Sequence, residues 1–197
     1  MSAAHSTKSK ALPTARSHYL FSVEDYHQLL TAGILEPGDR IELIQGELTM
    51  MPPIGPEHSS HTRRLTNLLP RKLPESVVLQ MNEPITIPNH SEPQPDAAIV
   101  KVKADNYRKA HPTPKDVLLV IEVADSSTDF DNKVKAKLYG KAGIPEYWIV
   151  EIEEACVRVF TDPSKQGYRT IKEYHRGDKV KCGTVPELHL AVSELLV

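Results

Sequence analysis

Cysteine, tryptophan and long apolar runs are what this chain has least of. Two cysteines, Cys156 and Cys182, stand in 197 residues. They form no metal-type spacing and no disulfide framework, so a reducing compartment is expected. No apolar stretch approaches the roughly 18 residues of a membrane-spanning helix, and the first residues lack the apolar centre of a secretory signal; no membrane partner is expected. An excess of one charge is missing too. A formal net charge of −2 argues against a protein that coats nucleic acid by charge alone, although counterion release depends on where Lys and Arg sit, not on their sum. The chain has no Gly-x-Ser-x-Gly turn for serine catalysis, no Gly-x4-Gly-Lys-Ser/Thr loop for nucleotide phosphates, no His or Cys pair at zinc-ligand spacing and no internal repeat.

What is there is an ordinary globular composition, 40% apolar and 25% charged, in a chain long enough for one domain with a real core. Residues 1–17 carry Ser, Ala, Lys and Arg without an acid. They are expected to form a disordered tail, which leaves 18–197 as the domain. Ser22-Val-Glu-Asp25 reads as an N-cap with acids in the first turn, opening a short helix that closes at Gly33. Arg40 to Met50 alternates around Gln45-Gly46, the pattern of a two-residue hairpin. Its arms carry Glu42 and Glu47, each either a solvent-facing hairpin charge or an extra acid at a metal site. After the loop Met51–Pro56 a helix runs from about Glu57 toward Pro70, with His58 and His61 in its first turns, where free amides favour anions. His58 is a surface or capping residue, or a contributor to phosphate binding or catalysis.

Val77–Met81 and Ile85–Ile87 read as strands, and the proline-rich piece from Asn89 to Pro95 as extended chain. Asp96 then enters a strand at Ala97–Val100. Lys101, Lys103, Arg108, Lys109 and Lys115 cluster around Tyr107 beyond it, as a solvated loop or a phosphate-contacting surface. Val117–Ile121 is a short β-branched run, a strand buried on both faces. Glu122 interrupts it, and a carboxylate there is costly unless it is paired or bound to a cation. Asp131, Lys135 and Tyr139 recur every four residues and share one helical face. Pro145–Val150 is a further strand, parallel to Val117–Val123 through a βαβ crossover. Ala155–Phe160 and Tyr168–Tyr174 form a strand pair around the Asp162–Gly167 loop, and Leu188–Val197 packs as an apolar end.

Asp96, Glu122 and Lys135 are expected to converge on a hydrolytic site. Phosphodiester hydrolysis needs a hydroxide near neutral pH and neutralisation of the charge that builds on phosphorus, and Mg²⁺ or Mn²⁺ held by oxygen ligands provides both. Asp96 and Glu122 are suitable hard ligands, with the Val123 carbonyl as a third and Glu47 as a further candidate. Lys135 would orient and deprotonate water, or hold the scissile phosphate as a point charge.

These residues resemble a known family. Pro95-Asp96, the run Val-Ile-Glu-Val-Ala-Asp-Ser-Ser-Thr, Asp131-x3-Lys135-x3-Tyr139 and Ala-Gly-Ile-Pro-Glu-Tyr-Trp look like the Uma2 family of restriction-endonuclease-like proteins in the PD-(D/E)XK superfamily. Glu-Leu-Ile-x-Gly-Glu-Leu and Gly-Pro-x-His match as well, so the resemblance spans roughly residues 20 to 196. It implies an α/β fold with a mixed central β-sheet flanked by helices, a Mg²⁺-dependent endonuclease acting on DNA, and a cytoplasmic homodimer. By motif, Asp96 and Glu122 would bind metal and Lys135 would be the catalytic lysine. One departure stands out. The superfamily pattern places Lys two residues after the acid, and here that residue is Ala124, so the lysine comes from the following helix. The runner-up is a nuclease-fold module that binds nucleic acid or a protein partner without cutting.

Overall fold

Alternation along the buried strands decides the architecture. The computed structural model describes residues 18–196 apart from 37, 126 and 127; the expected tail and Val197 lie outside them. Helix α1 (Val23–Thr31) begins at a capping box between Ser22 and Asp25. Strands β1 (Ile41–Ile44) and β2 (Glu47–Met50) form the expected hairpin, with Gln45 and Gly46 both at positive φ, as a tight two-residue turn requires. Then come α2 (Pro56–Leu68), β3 (Val77–Met81), β4 (Ala97–Lys101) and β5 (Val117–Ala124). A helical crossover follows in three parts: α3 (Thr128–Phe130), a π-turn at Asp131–Lys135, and α4 (Ala136–Ala142). The chain ends with β6 (Glu146–Glu151), β7 (Cys156–Ser164), β8 (Gly167–His175), β9 (Lys179–Lys181), β10 (His189–Ala191) and α5 (Val192–Leu195).

Strands β3 to β8 build one mixed sheet in chain order, with β5 and β6 parallel and the other neighbours antiparallel. Successive side chains of a strand point to opposite faces, and the two cores follow that rule. Leu119, Ile121 and Val123 join Trp148 and Val150 on one face, packed with Leu65, Leu69 and Leu195. Val120 and Ala124 join Tyr147 and Ile149 on the other, packed with Ile44 and Tyr139. Asp96 shares the parity of Ala98 and Val100, and Glu122 that of Val120 and Ala124. Both acids therefore belong to the face that α4 and the β1–β2 hairpin cover.

The structure departs from the sequence reading in four places. Ile85–Ile87 makes no ladder, because Pro84 and Pro88 bracket it and prolines cannot donate; Ile87 forms only an isolated bridge with Ser91. Asn89 is not extended but belongs to the turn of that bridge. Pairing of β7 with β8 continues to Ser164 and Gly167, so the expected six-residue loop shrinks to a tight turn at Lys165-Gln166. The helix through Lys135 contains the π-turn, which apolar periodicity cannot reveal. Among the described residues no helix is long and apolar enough to cross a membrane, and Cys156 and Cys182 are free and buried.

Candidate active site

The register of β4 on β5 brings the two central acids together. Ala97 lies opposite Ile121, so one step further places Asp96 opposite Glu122 at the end of both strands. Like charges facing each other across a ladder destabilise it, and the chain answers with main-chain donors. The Asp96 N–H donates to Glu122 Oε2 at 3.3 Å, and the Val123 N–H donates to Asp96 Oδ2 at 2.8 Å. His58 reaches the same Oδ2 with Nε2 at 3.2 Å. It does so from the first turn of α2, which the Gly55-Pro56 entry places beside the strand ends.

The crossover supplies the cation. Lys135 Nζ lies 3.0 Å from Glu122 Oε1, 3.3 Å from Glu42 Oε1 and 3.9 Å from Asp131 Oδ1. Tyr139, one turn on, donates its hydroxyl to Glu122 Oε1 at 3.1 Å. Glu42 is fixed on its other oxygen by the Gln94 N–H at 3.1 Å. Glu42, Asp96, Glu122, Asp131 and Lys135 are all buried. Burial works against the Lys135 charge, but Glu122, then Glu42 and Asp131, outweigh it and hold the ammonium protonated, above the ordinary lysine range. In the metal-free cleft Lys135 therefore stands as a positive charge near neutral pH. Burial pushes the Glu122 carboxyl well above its usual value; Lys135 opposes this, and Asp131, Asp96 and Glu42 add to it. The hydrogen bond to Asp96 raises His58 against the effect of burial.

These groups form the floor of a cleft of about 750 Å³. Among the described residues its charged lining is Arg40, Arg63 and Lys135 against Glu42, Asp96, Glu122, Asp125 and Asp131, with His58 at the wall. The surplus of buried oxygen anions suits a hard cation. No three His, Cys, Asp or Glu side chains among the described residues stand together as a ready-made cage, but Mg²⁺ keeps most of its waters and needs only one or two carboxylates. Asp96 and Glu122 are the two carboxylates that could serve.

The structure brings Asp96, Glu122 and Lys135 together, as the sequence suggested, and adds His58, whose place the sequence left open; Val123 lines the same cleft while its N–H steadies Asp96. Glu47 does not join them. Its register opposite Ile44 sets it beside the hairpin turn, exposed to solvent, whereas Glu42 at the open end of the hairpin reaches the floor. Asp131 stands four residues before Lys135 on the same helical face, the spacing of an ion pair, although the sequence reading gave it no place in the site. Of the two readings left open for the basic cluster, the solvated loop is the one the structure matches. Lys101 closes β4 at the end opposite Asp96, and around it Lys103 pairs with Asp116 at 3.2 Å while Tyr107 donates to the Lys101 carbonyl. His61 is buried with Nδ1 2.9 Å from the Glu57 carbonyl oxygen, a structural role. Lys133 and Lys137 point outward from the crossover.

A family model described as Uma2, "Putative restriction endonuclease", matches residues 23–193. The chain also superposes on the crystal structure of a protein from Anabaena variabilis ATCC 29413, described as a putative nuclease belonging to DUF820. The TM-score is 0.62 and the identity 15%, over 89% of this chain and 97% of that one, a likeness of fold. Among curated proteins no sequence matches.

Proposed function

The chain belongs to the Uma2 family, and from that membership together with the geometry of the cleft we propose that it is a metal-dependent endonuclease hydrolysing phosphodiester bonds in DNA. One observation carries this reading. Two carboxylates from adjacent strand ends and one ammonium from the crossover meet, buried, on the floor of an open cleft whose lining is short of positive charge.

Asp96 and Glu122, with the Val123 carbonyl, would hold Mg²⁺ or Mn²⁺; when bound, such an ion supplies charge neutralisation at the phosphate and a water of lowered pKa. The chain's own residues do the rest. Lys135 offers a preorganised positive charge where the phosphoryl oxygens gain negative charge, and a group already oriented costs no reorganisation during reaction. Glu42 and Asp131 hold that ammonium in place, and Tyr139 holds the Glu122 carboxylate. His58 steadies Asp96 and, protonated more readily than a free histidine, adds positive charge beside an incoming phosphate.

The test is Mn²⁺-dependent cleavage of a panel of plasmids and oligonucleotides by the purified protein, with Glu122→Gln as control. The wild type is expected to cut. The variant is expected to lose about a thousandfold or more, together with the rise in melting temperature that Mn²⁺ gives, because a carbonyl oxygen replaces a charged ligand. A second reading, a nuclease fold that binds without cutting, draws on the acidic balance of the cleft, three basic side chains against five acids among the described residues. A Mn²⁺-induced rise in melting temperature without cleavage of any substrate would select it.

A further inference from the structure

The two walls of the cleft differ in chemistry. One is the Met-Met-Pro-Pro-Ile segment that leads from the end of β2 into α2, Met50 to Ile54, with no charge in its five residues. Met50 is 80% exposed and Ile54 47%. Two consecutive prolines stiffen the segment, so little conformational freedom is lost when a ligand settles on it. The other wall is α2, which turns Ser59, Thr62, Arg63 and Thr66 to the cleft at helical spacing. Thr62 and Thr66 donate their hydroxyls to the His58 and Thr62 carbonyls, so the Arg63 guanidinium and the Ser59 hydroxyl are the groups on this face that would take phosphate oxygens.

Asp96, Glu122 and Lys135 on the floor are each less than a tenth exposed. A scissile phosphate must therefore descend into the cleft, whose lining offers the Arg63 face of α2 to a backbone and the apolar Met50–Ile54 segment to the rest of a strand. In an intact duplex the base faces are stacked and hidden, and only base edges and phosphates are on offer. An apolar, uncharged wall matches unstacked base faces and matches neither of those. Charge points the same way. Duplex DNA carries one negative charge per roughly 1.7 Å of axis, while the cleft sets three basic side chains against five acids, and the Lys101 cluster that could offset them lies at the far end of β4.

We propose, resting on the hydrolytic reading above, that the site takes unpaired DNA: a single strand or melted segment whose bases lie on Met50–Ile54 while its backbone follows the Arg63 face of α2. Fluorescence anisotropy of the full chain, with Ca²⁺ in place of Mg²⁺ to hold off cleavage, compares one oligonucleotide as a single strand, as a duplex with a central bubble and as a closed duplex. Single strand and bubble are expected to bind at least about tenfold more tightly than the duplex. Their log affinity should fall with log salt by a slope of about one to two, against about six to ten for a protein that tracks a duplex backbone. Met50→Ala with Ile54→Ala should lose about tenfold on the single strand and nothing on the duplex, at an unchanged melting temperature, while Met50→Leu with Ile54→Leu retains binding. Equal or tighter binding of the closed duplex, single-strand binding that ignores the Met50 and Ile54 changes, or no binding of any form would each overturn the proposal. Cleavage of closed plasmid in the panel above would still uphold the hydrolytic reading, so the two fail separately.

Discussion

Two clusters in this protein set one basic side chain among three carboxylates, and one acid in each, Glu122 in the first and Glu173 in the second, is shifted in the opposite direction from the other. Lys135 stands among Glu42, Glu122 and Asp131 on the cleft floor. Arg158, on β7, contacts Glu173 at 2.8 Å, Glu151 at 2.5 Å and Glu154. The guanidinium gives each acid its own nitrogen, whereas the ammonium shares a single nitrogen among all three. Glu173 and Glu154 are half in water, and the hydrogen bond and charge of Arg158 pull the Glu173 carboxyl below its usual value. Glu122 is buried on the cleft floor, and the same kind of attraction fails to offset its desolvation. The Arg158 cluster is satisfied as it stands, while the Lys135 cluster keeps an acid that a further cation would relieve.

The largest expected effect breaks this contrast at its centre. Lys135→Met would leave three buried carboxylates without their cation, and stripping one partner from a buried pair costs about 3–5 kcal/mol. Urea unfolding at neutral pH should show that loss, Mn²⁺ should restore part of it, and any hydrolysis should disappear. A variant as stable as the wild type would mean that the acids are not charged against the lysine, and the two clusters would no longer differ in kind.

Arg158→Met should cost less, about 1–3 kcal/mol. Glu154 and Glu173 can turn to water, and only Glu151 is left enclosed, still receiving the Asn132 side-chain amide at 2.7 Å. Cleavage by this variant should equal that of the wild type, since Arg158 stands outside the cleft lining. A loss of cleavage with the stability retained would show that the two clusters communicate, and Asn132 in the π-turn is the residue through which they would.

How much of this could be read in advance follows from what each feature depends on. The buried strands, the crossover and the acids at the strand ends rest on local patterns, β-branched runs and a carboxylate at the end of each, and so they were legible. Even the shared face of Asp96 and Glu122 follows from counting in twos. Their meeting needs the register of β4 on β5, which the intervening loop sets and no single strand encodes. Glu42 and Glu47 looked alike because both sit on hairpin arms; only the way the hairpin folds back on Lys135 separates them. The π-turn rests on a slip in backbone hydrogen bonding that leaves the four-residue spacing of Asp131, Lys135 and Tyr139 intact. Which of its two readings the Lys101 cluster follows was not legible, because charge composition does not say at which end of a strand a loop lies.

The finest test uses protons in place of substitutions of the cations, with metal-free protein and unfolding free energies from about pH 3 to 9. Glu173 has a folded-state pKa below the usual 4.5, so its contribution is present above that value and lost as pH falls through the folded one. Glu122 has a folded-state pKa raised well above 4.5, so the folded state holds its proton more tightly than the unfolded chain. Stability should therefore decline as pH rises from about 4.5 toward the raised value, by at most about 1.4 kcal/mol per pH unit, the limit for one proton. Subtracting the curve of Glu122→Gln from that of the wild type isolates the second slope, and subtracting that of Glu173→Gln isolates the first. Opposite signs are expected, with the Glu122 difference on the neutral side and the Glu173 difference confined to acid. Two differences of the same sign would mean that Lys135 already satisfies Glu122 as fully as Arg158 satisfies Glu173, and the cleft floor would then have no electrostatic reason to attract a metal ion.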